Sequence, residues 1–303
     1  ATLAAHGTTA LLATIAALPA EPLRRAVATV AAAMGEANGA RLLGIHLEGP
    51  FLNPRRGGAQ RTAWMRAPSI DELDRLQEAA AGTIRLLTLA PELPGALELI
   101  RHARRRGITV ALGHSEASAD EVAAAITAGA THVTHCFNAM APLHHREVGL
   151  LGMALIDDRL RIELIADGVH VERRALALAV RSKPAGSWIL VSDGVAAVGQ
   201  PPGPLRLFGA ECVASDAVRQ ADGGRLAGSC LTLAEAVRNL RRWLANVADA
   251  TILEAASRHP AAAIGCDDRC GRLIVGRPAD LVVLDREWRL ARVLVAGQAL
   301  SVS

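Results

Sequence analysis

The residues of this 303-residue sequence that could do chemistry follow short apolar runs. Glu48 ends one such run, His114 follows a second, and His135 lies near the end of a third; His170 and Asp193 come shortly after two more. In proteins built on a parallel sheet, catalytic groups collect at the carboxyl ends of the strands, which share one face. The spacing therefore predicts one site that holds two carboxylates and three imidazoles.

This set of side chains indicates metal-dependent chemistry. A single histidine at a strand end is more often structural than a metal ligand, because imidazoles readily hydrogen-bond nearby carbonyl groups. Five converging strand ends favour the metal interpretation over the structural one. Two neutral imidazoles and one carboxylate are an ordinary ligand set for a catalytic divalent metal and leave positions open for water and substrate.

The elements that must position these residues are strands alternating with helices, which is typical of βα units. The predicted strands are Thr8–Thr14, Leu42–Glu48, Ile84–Ala90, Thr109–His114, His132–Phe137, Arg161–Ala166 and Trp188–Ser192. The predicted helices between them are Pro22–Asn38, Ile70–Ala80, Gly95–Arg106, Ser118–Ala128 and Glu172–Arg181. This order predicts an α/β fold, a (β/α)8 TIM-type barrel whose first strand lies outside this sequence.

The pattern changes after the seventh run. Hairpin strands are predicted as far as Ala227, and helices from about Leu231 to Ala263. Two further strands, Asp280–Leu284 and Arg289–Ala296, predict part of a small β-sandwich. We therefore predict a catalytic barrel at 1–270 and sandwich strands at 271–303. Because a barrel without one strand exposes unpaired edges, we expect this chain alone to fold poorly or to be part of a longer product.

Composition excludes several classes of function. The 33 basic and 30 acidic residues give a net charge of only +3, and aromatic residues make up 2% of the chain. Nucleic-acid binding is therefore not expected, since it needs a basic stripe and stacking aromatics. No apolar run reaches the roughly 18 residues of a membrane span. Five cysteines, an odd number, argue against a disulfide framework and predict a reducing compartment, the cytoplasm.

Five segments, in this order and spacing, resemble the N-acetylglucosamine-6-phosphate deacetylases of the amidohydrolase superfamily. They are HLEGPF from His46, GHS from Gly113, THCFNAM from Thr134, ADGVH from Ala166 and SDG from Ser192. The resemblance covers essentially the whole chain. It implies a deacetylase of N-acetyl-D-glucosamine 6-phosphate, with Glu48, His114 and His135 as ligands of one divalent metal, zinc in our prediction, with iron or manganese as alternatives.

The resemblance also implies the remaining roles. Asp193 is expected to be the acid and base, and His170 to hydrogen-bond the acetyl oxygen. The expected substrate-binding residues are Ala59, Gln60, Asn138, Ala139, Arg146, Asp167, His170, Leu226, Ala227 and Gly228. Among them Arg146 and the Asn138–Ala139 segment are assigned to the phosphate. A homodimer is expected, in which one subunit can complete the phosphate site of the other.

Two residues distinguish this chain, one from superfamily members that use a lysine to bridge two metals and one from the family that it resembles. Its single lysine, Lys183, lies in the turn after a predicted helix, which excludes a lysine-bridged pair of metals. Gln60 stands where the family pattern has a histidine and can still hydrogen-bond a sugar or a phosphate. His259, next to Pro260, is interpreted as a surface residue.

Three alternatives stay open at the level of sequence. The first is a deacetylase of another N-acetyl amino-sugar phosphate, such as that of galactosamine. The second is a related hydrolase of a different N-acyl substrate or cyclic amide. The third is a metal-free, inactive sugar-phosphate-binding remnant.

Overall fold

The computed structural model describes residues 1–35 and 39–301 of the chain. Within them one sheet has seven strands in sequential order, β1 (Ala10–Ala16), β2 (Arg41–Glu48), β3 (Ile84–Leu89), β4 (Thr109–Leu112), β5 (His132–Val133), β6 (Arg161–Ile165) and β7 (Trp188–Val191). Neighbours from β2 to β6 pair in parallel. The sequential strand order confirms the predicted α/β fold and all seven predicted strands.

Helices connect most of these strands, as parallel pairing requires. They are α2 (Ala20–Ala33), α3 (Ile70–Ala79), α4 (Ala96–Arg105), α5 (Ala119–Ala128), α6 (Gly149–Ile156) and α7 (Arg173–Ser182), and a short helix α1 (Thr2–Ala5) precedes β1. Local sequence explains their ends: a capping box of Ser118 and Glu121 starts α5, and Gly129 ends it in a left-handed conformation. The helix predicted to begin at Pro22 corresponds to α2, and its predicted end at Asn38 lies outside the described residues.

Helix α6 is absent from the sequence prediction. Its eight residues are almost all apolar, and six of them are buried, so no polar face marks a helical period. The fifth strand is also shorter than predicted, because the segment after Val133 leaves the sheet in a series of turns.

The remaining elements follow β7. They are the antiparallel strands β8 (Gly203–Leu207), β9 (Ala210–Ala214) and β10 (Val218–Gln220), the helices α8 (Leu233–Trp243), α9 (Asp249–Ala255) and α10 (Arg258–Ala263), and the antiparallel strands β11 (Leu281–Leu284), β12 (Leu290–Val295) and β13 (Gln298–Leu300). The last sheet confirms the two predicted C-terminal strands and adds a third.

The described chain divides into two compact units. One contains residues 12–35 and 43–163, and the other contains residues 1–11, 39–42 and 164–301. The strands after residue 271 belong to the second unit, and a separate domain at 271–303 stays a prediction.

Candidate metal centre

Three predicted metal ligands converge in the unit that contains residues 43–163. Glu48 is the last residue of β2, and His114 and His135 lie two residues beyond β4 and β5. Glu48 Oε1 is 2.7 Å from His114 Nε2 and 3.3 Å from His135 Nε2, and the two Nε2 atoms are 3.1 Å apart. The side chains are buried, with 13%, 4% and 7% of their surfaces exposed in the same order.

The donor set fits a divalent metal. Ligand atoms about 2.0–2.2 Å from a tetrahedral zinc lie about 3.3–3.6 Å from one another. Two of the separations here, 3.1 and 3.3 Å, are near this range, and the third, 2.7 Å, is shorter. His114 Nδ1 lies 2.9 Å from the carbonyl oxygen of Arg56, an atom that only accepts, so Nδ1 carries the proton and Nε2 presents a lone pair to the site. A carboxylate and imidazole lone pairs aimed at one point are what a cation requires.

Burial and charge act in opposite directions on Glu48. Burial would raise the pKa of this carboxyl, but the imidazoles of His114 and His135 beside it outweigh burial and hold the pKa well below its usual value. The side chain is therefore an ionised carboxylate, which is the form that binds a metal.

Strained backbone marks the same positions. His114 has a φ of 49°, His135 of 32° and Asp193 of 51°, in the left-handed region that residues other than glycine rarely adopt. Each such residue costs about 1–3 kcal/mol unless the surrounding structure imposes it, and such strain is common at functional sites. All three residues were singled out from the sequence by their position at or near the end of a predicted strand.

Gln60 lies against Glu48, one of the predicted metal ligands. Its Nε2 is 3.0 Å from Glu48 Oε1, and its own Oε1 accepts a 2.8 Å hydrogen bond from the backbone N–H of Ala17. The side chain is only 6% exposed. The substrate contact expected from the sequence stays a prediction, whereas both ends of the amide are occupied within the protein.

Sequence reasoning missed Glu92, which fixes the loops around the centre. One carboxylate oxygen accepts hydrogen bonds from Asn53 Nδ2 at 2.8 Å and from the backbone N–H of Glu116 at 2.7 Å, and the other accepts from Ser115 Oγ at 2.8 Å. Glu92 therefore ties the loop after β2 to the segment that carries His114. It lies three residues after β3, so the search for polar residues at strand ends could have found it.

A chain of hydrogen bonds joins side chains of the same unit. Thr14 Oγ1 is 3.1 Å from His46 Nδ1, His46 Nε2 is 2.8 Å from Thr88 Oγ1, and Thr88 Oγ1 is 2.6 Å from Thr134 Oγ1. Burial lowers the pKa of His46 to about 4, so the ring is neutral. Because side chains alternate along a strand, His46 shares a face of β2 with Glu48.

The predicted acid and base belongs to the other unit. Asp193 follows β7, and its backbone oxygen accepts a 2.9 Å hydrogen bond from Ser229. Gly228 has a φ of 108°, and a Cβ atom there would lie 2.5 Å from Val195 Cγ1 and 3.3 Å from the Asp193 oxygen. The predicted sugar-binding segment Leu226–Gly228 therefore packs directly against the backbone that carries Asp193.

Asp167 holds His170 in the same unit. Its Oδ1 accepts from the backbone N–H groups of Val169 and His170, both at 2.8 Å, and its Oδ2 is 2.6 Å from His170 Nδ1. Burial would raise the pKa of Asp167, but the hydrogen bonds from His170 and Val169 outweigh it, so the pKa lies below its ordinary value. Asp167, predicted to contact the sugar, thus has a clear role in orienting His170.

The other predicted substrate residues lie in loops after strands. Asn138 Nδ2 is 3.2 Å from the backbone oxygen of His135, and the backbone oxygen of Ala139 accepts from Ser115 at 3.2 Å. Ala59 is partly buried in the loop that ends at Gln60. Arg146 is exposed, with Nη1 2.7 Å from His145 Nε2. The substrate contacts of these residues stay predictions.

The structure also bears on the predictions about membrane spans and cysteines. Within residues 1–35 and 39–301, no helix combines the length and apolar character needed to cross a membrane. The five cysteines, which all lie within these residues, form no disulfide.

Comparison with known proteins gives one consistent family. The sequence matches the amidohydrolase family over residues 1–300. It is 38% identical to the N-acetylglucosamine-6-phosphate deacetylase of Bacillus subtilis (strain 168) over 265 residues, which cover 88% of this chain and 67% of that protein. It is 40% identical to the N-acetylgalactosamine-6-phosphate deacetylase of Escherichia coli O157:H7 over 263 residues, covering 87% and 69%.

Solved structures give the same result. The chain superposes with a TM-score of 0.90 and 32% identity on the N-acetylglucosamine-6-phosphate deacetylase of Thermotoga maritima, covering 98% of this chain and 80% of that one. It superposes equally well, at 34% identity and with coverage of 99% and 79%, on a mutant of the Mycobacterium smegmatis enzyme in complex with N-acetyl-D-glucosamine-6-phosphate.

Proposed function

This chain belongs to the amidohydrolase family, and from that premise we propose that it hydrolyses N-acetyl-D-glucosamine 6-phosphate to D-glucosamine 6-phosphate and acetate. The observation that carries the proposal is the convergence of Glu48, His114 and His135 on one point. The substrate is inferred from relatives that are deacetylases, and the structure of one of them contains this sugar phosphate.

The metal ligands would be Glu48, His114 and His135. A divalent metal held there supplies Lewis-acid polarisation of the acetyl carbonyl and activation of water, and zinc is our prediction for its identity. Glu48 binds it as an ionised carboxylate. The backbone oxygen of Arg56 accepts from His114 Nδ1–H and so fixes the tautomer in which the lone pair of Nε2 faces the centre.

Asp193 is assigned the proton transfers. Water adds its oxygen to the acetyl carbon and loses a proton to the Asp193 carboxylate. The bond between carbon and nitrogen then breaks, and Asp193 returns that proton to the leaving amine. The products are the free amino sugar and acetic acid, which releases its proton to the solvent as acetate.

His170 is assigned to the acetyl oxygen as that atom gains negative charge. Its Nδ1–H points to Asp167, so it donates to the oxygen through Nε2 when the ring carries both protons. The Asp167 carboxylate holds the ring in one orientation, which supports the assignment.

Phosphate recognition is assigned to Arg146 and the Asn138–Ala139 segment. A guanidinium is well suited to phosphate, and Arg146 is exposed on the loop between β5 and α6. We also propose a homodimer in which this loop helps to bind the substrate of the partner. The proposed location is the cytoplasm, which agrees with five cysteines that form no disulfide.

An acetate-release assay tests the function. The purified protein should deacetylate the 6-phosphorylated sugar, and the same sugar without phosphate should be a far poorer substrate. Treatment with a chelator should abolish turnover, and adding Zn²⁺, Fe²⁺ or Mn²⁺ separately should identify the metal. Equal rates with and without the phosphate would refute the role of Arg146. Absence of turnover with every metal would refute the function.

N-acetylgalactosamine 6-phosphate is a second candidate substrate, because the Escherichia coli enzyme that acts on it is 40% identical to this chain. The two sugars differ only in the configuration of one hydroxyl group. The ratio of kcat/KM for the two sugars decides between them, and we expect it to favour the glucosamine derivative.

A further inference from the structure

Gln60 is held in one orientation by its surroundings. The backbone N–H of Ala17 can only donate, so the atom of the Gln60 amide that faces it must be the oxygen. The amide nitrogen therefore faces Glu48 Oε1, at 3.0 Å. The hydrogen-bonding partners thus settle the orientation of the amide, which an isolated side chain would leave open.

The oxygen that Gln60 contacts is the one that faces the metal centre. Glu48 Oε1 also lies 2.7 Å from His114 Nε2 and 3.3 Å from His135 Nε2. A hydrogen bond from Gln60 to this atom restricts rotation of the carboxylate. Because the amide is neutral, it orients the ligand without placing a positive charge beside the metal position.

Packing fixes the loop that carries Gln60. The backbone N–H of Gln60 closes a turn on the oxygen of Gly57 at 3.1 Å. A Cβ atom at Gly57 would lie 2.8 Å from Thr62 and 3.0 Å from Met65. Met65 in turn packs with Ala17 in a buried cluster. The loop that carries Gln60 and the Ala17 N–H that binds its amide oxygen are therefore held by the same packing.

We propose that Gln60 is a positioning residue that holds Glu48 in its metal-binding orientation, rather than a residue that contacts the sugar or its phosphate. The amide has both ends occupied within the protein and is 6% exposed, which leaves little of it for a ligand. The kinetic part of this inference rests on the proposed function, whereas the metal-binding part does not.

Gln60→Met tests the proposal, because it keeps the length of the side chain and removes the donor. Zn²⁺ affinity, measured by competition with a chromophoric chelator, should fall about 10- to 100-fold, as is usual when a residue that orients a metal ligand is lost. At saturating Zn²⁺, KM for the phosphorylated sugar should be unchanged. The matched control is Gln77→Met, since the Gln77 side chain hydrogen-bonds the backbone of Ile84 and its loss should leave Zn²⁺ affinity unaltered.

Gln60→His is the rescue variant. An imidazole also offers one N–H donor and one acceptor nitrogen, so it should restore the Zn²⁺ affinity of the wild type. Equal losses in the methionine and histidine variants would overturn the proposal. If the methionine variant does not fold, Gln60→Asn replaces it: that amide is too short to reach both partners and should show the same loss of affinity.

Two further outcomes separate the proposals. Unchanged Zn²⁺ affinity together with a raised KM that appears only for the phosphorylated sugar would overturn the inference and assign Gln60 to the phosphate. If the wild type binds Zn²⁺ but hydrolyses neither sugar, the proposed function fails, and the comparison of Zn²⁺ affinities still decides the role of Gln60.

Discussion

At the scale of single residues, side-chain type and position at strand ends gave five candidates, and the family resemblance selected the three predicted metal ligands among them. Glu48, His114 and His135 are of the right chemical types, and the structure brings their donor atoms together. Residues that act through a neighbour were harder to interpret. The contacts of Gln60 with Glu48 and of Asp167 with His170 depend on distances that a sequence does not contain.

Asp193→Asn belongs to this scale. The amide has nearly the shape of the carboxylate but cannot take a proton from water, so turnover should fall by about 10²- to 10⁴-fold. Metal content, measured by elemental analysis, should stay at the wild-type level. Asp222→Asn, in an exposed turn of the same unit, is the control and should retain full activity. Substantial activity in Asp193→Asn would remove this residue from the mechanism.

At the scale of elements, apolar runs predicted the strands well because parallel strands buried on both faces are nearly continuous in hydrophobicity. The same property hid α6, whose residues are apolar on every side. His259 shows a similar limit: the prediction of a surface residue is wrong, since α10 packs it to 7% exposure with Nδ1 3.1 Å from the backbone oxygen of Trp188.

Gly228→Ala tests the packing of one segment against another. Gly228 and Gly224 both have a positive φ, but a Cβ atom at Gly224 meets nothing within 4 Å, whereas one at Gly228 meets Val195 at 2.5 Å. Gly224→Ala should therefore destabilise the protein by about 1 kcal/mol from backbone strain alone. Gly228→Ala should add about 1–3 kcal/mol for the close contact and should also lower kcat by shifting Asp193.

Urea unfolding of both alanine variants gives the comparison of stabilities. Equal losses of stability would show that Val195 yields without strain and that the close approach has no energetic importance.

At the scale of the whole molecule, burial of neutral histidines links stability to pH. Burial, followed by the charges of Arg161 and Arg104, lowers the pKa of His132 from 6.5 to about 3. In the unfolded chain the same imidazole takes up a proton below about pH 6.5. The stability that depends on a neutral His132 is thus complete above pH 6.5 and is lost progressively as the pH falls towards 3.

His132→Leu should reduce this pH dependence. Each unpaired protonation contributes a slope of up to about 1.4 kcal/mol per pH unit, so the free energy of unfolding should fall less steeply between pH 6 and 4 in the variant. The variant also removes a buried Nε2 atom that has no hydrogen-bond partner. Urea unfolding of the metal-free protein at several pH values measures the slopes, and the exposed-site variant His145→Ala should keep the wild-type slope. Identical slopes in His132→Leu and the wild type would contradict the shifted pKa.

The sequence by itself determined the alternation of strands and helices, the family and the chemical types of the metal ligands, because hydrophobic period and residue type are local properties. Only the tertiary structure decided that Glu48 Oε1 accepts a hydrogen bond from Gln60, that Glu92 joins two loops, and that Gly228 must lack a side chain. These contacts join residues from 12 to more than 30 positions apart in the chain, at distances set by how strands and loops pack. Packing of this kind depends on the whole set of neighbours, so no local pattern in the sequence records it.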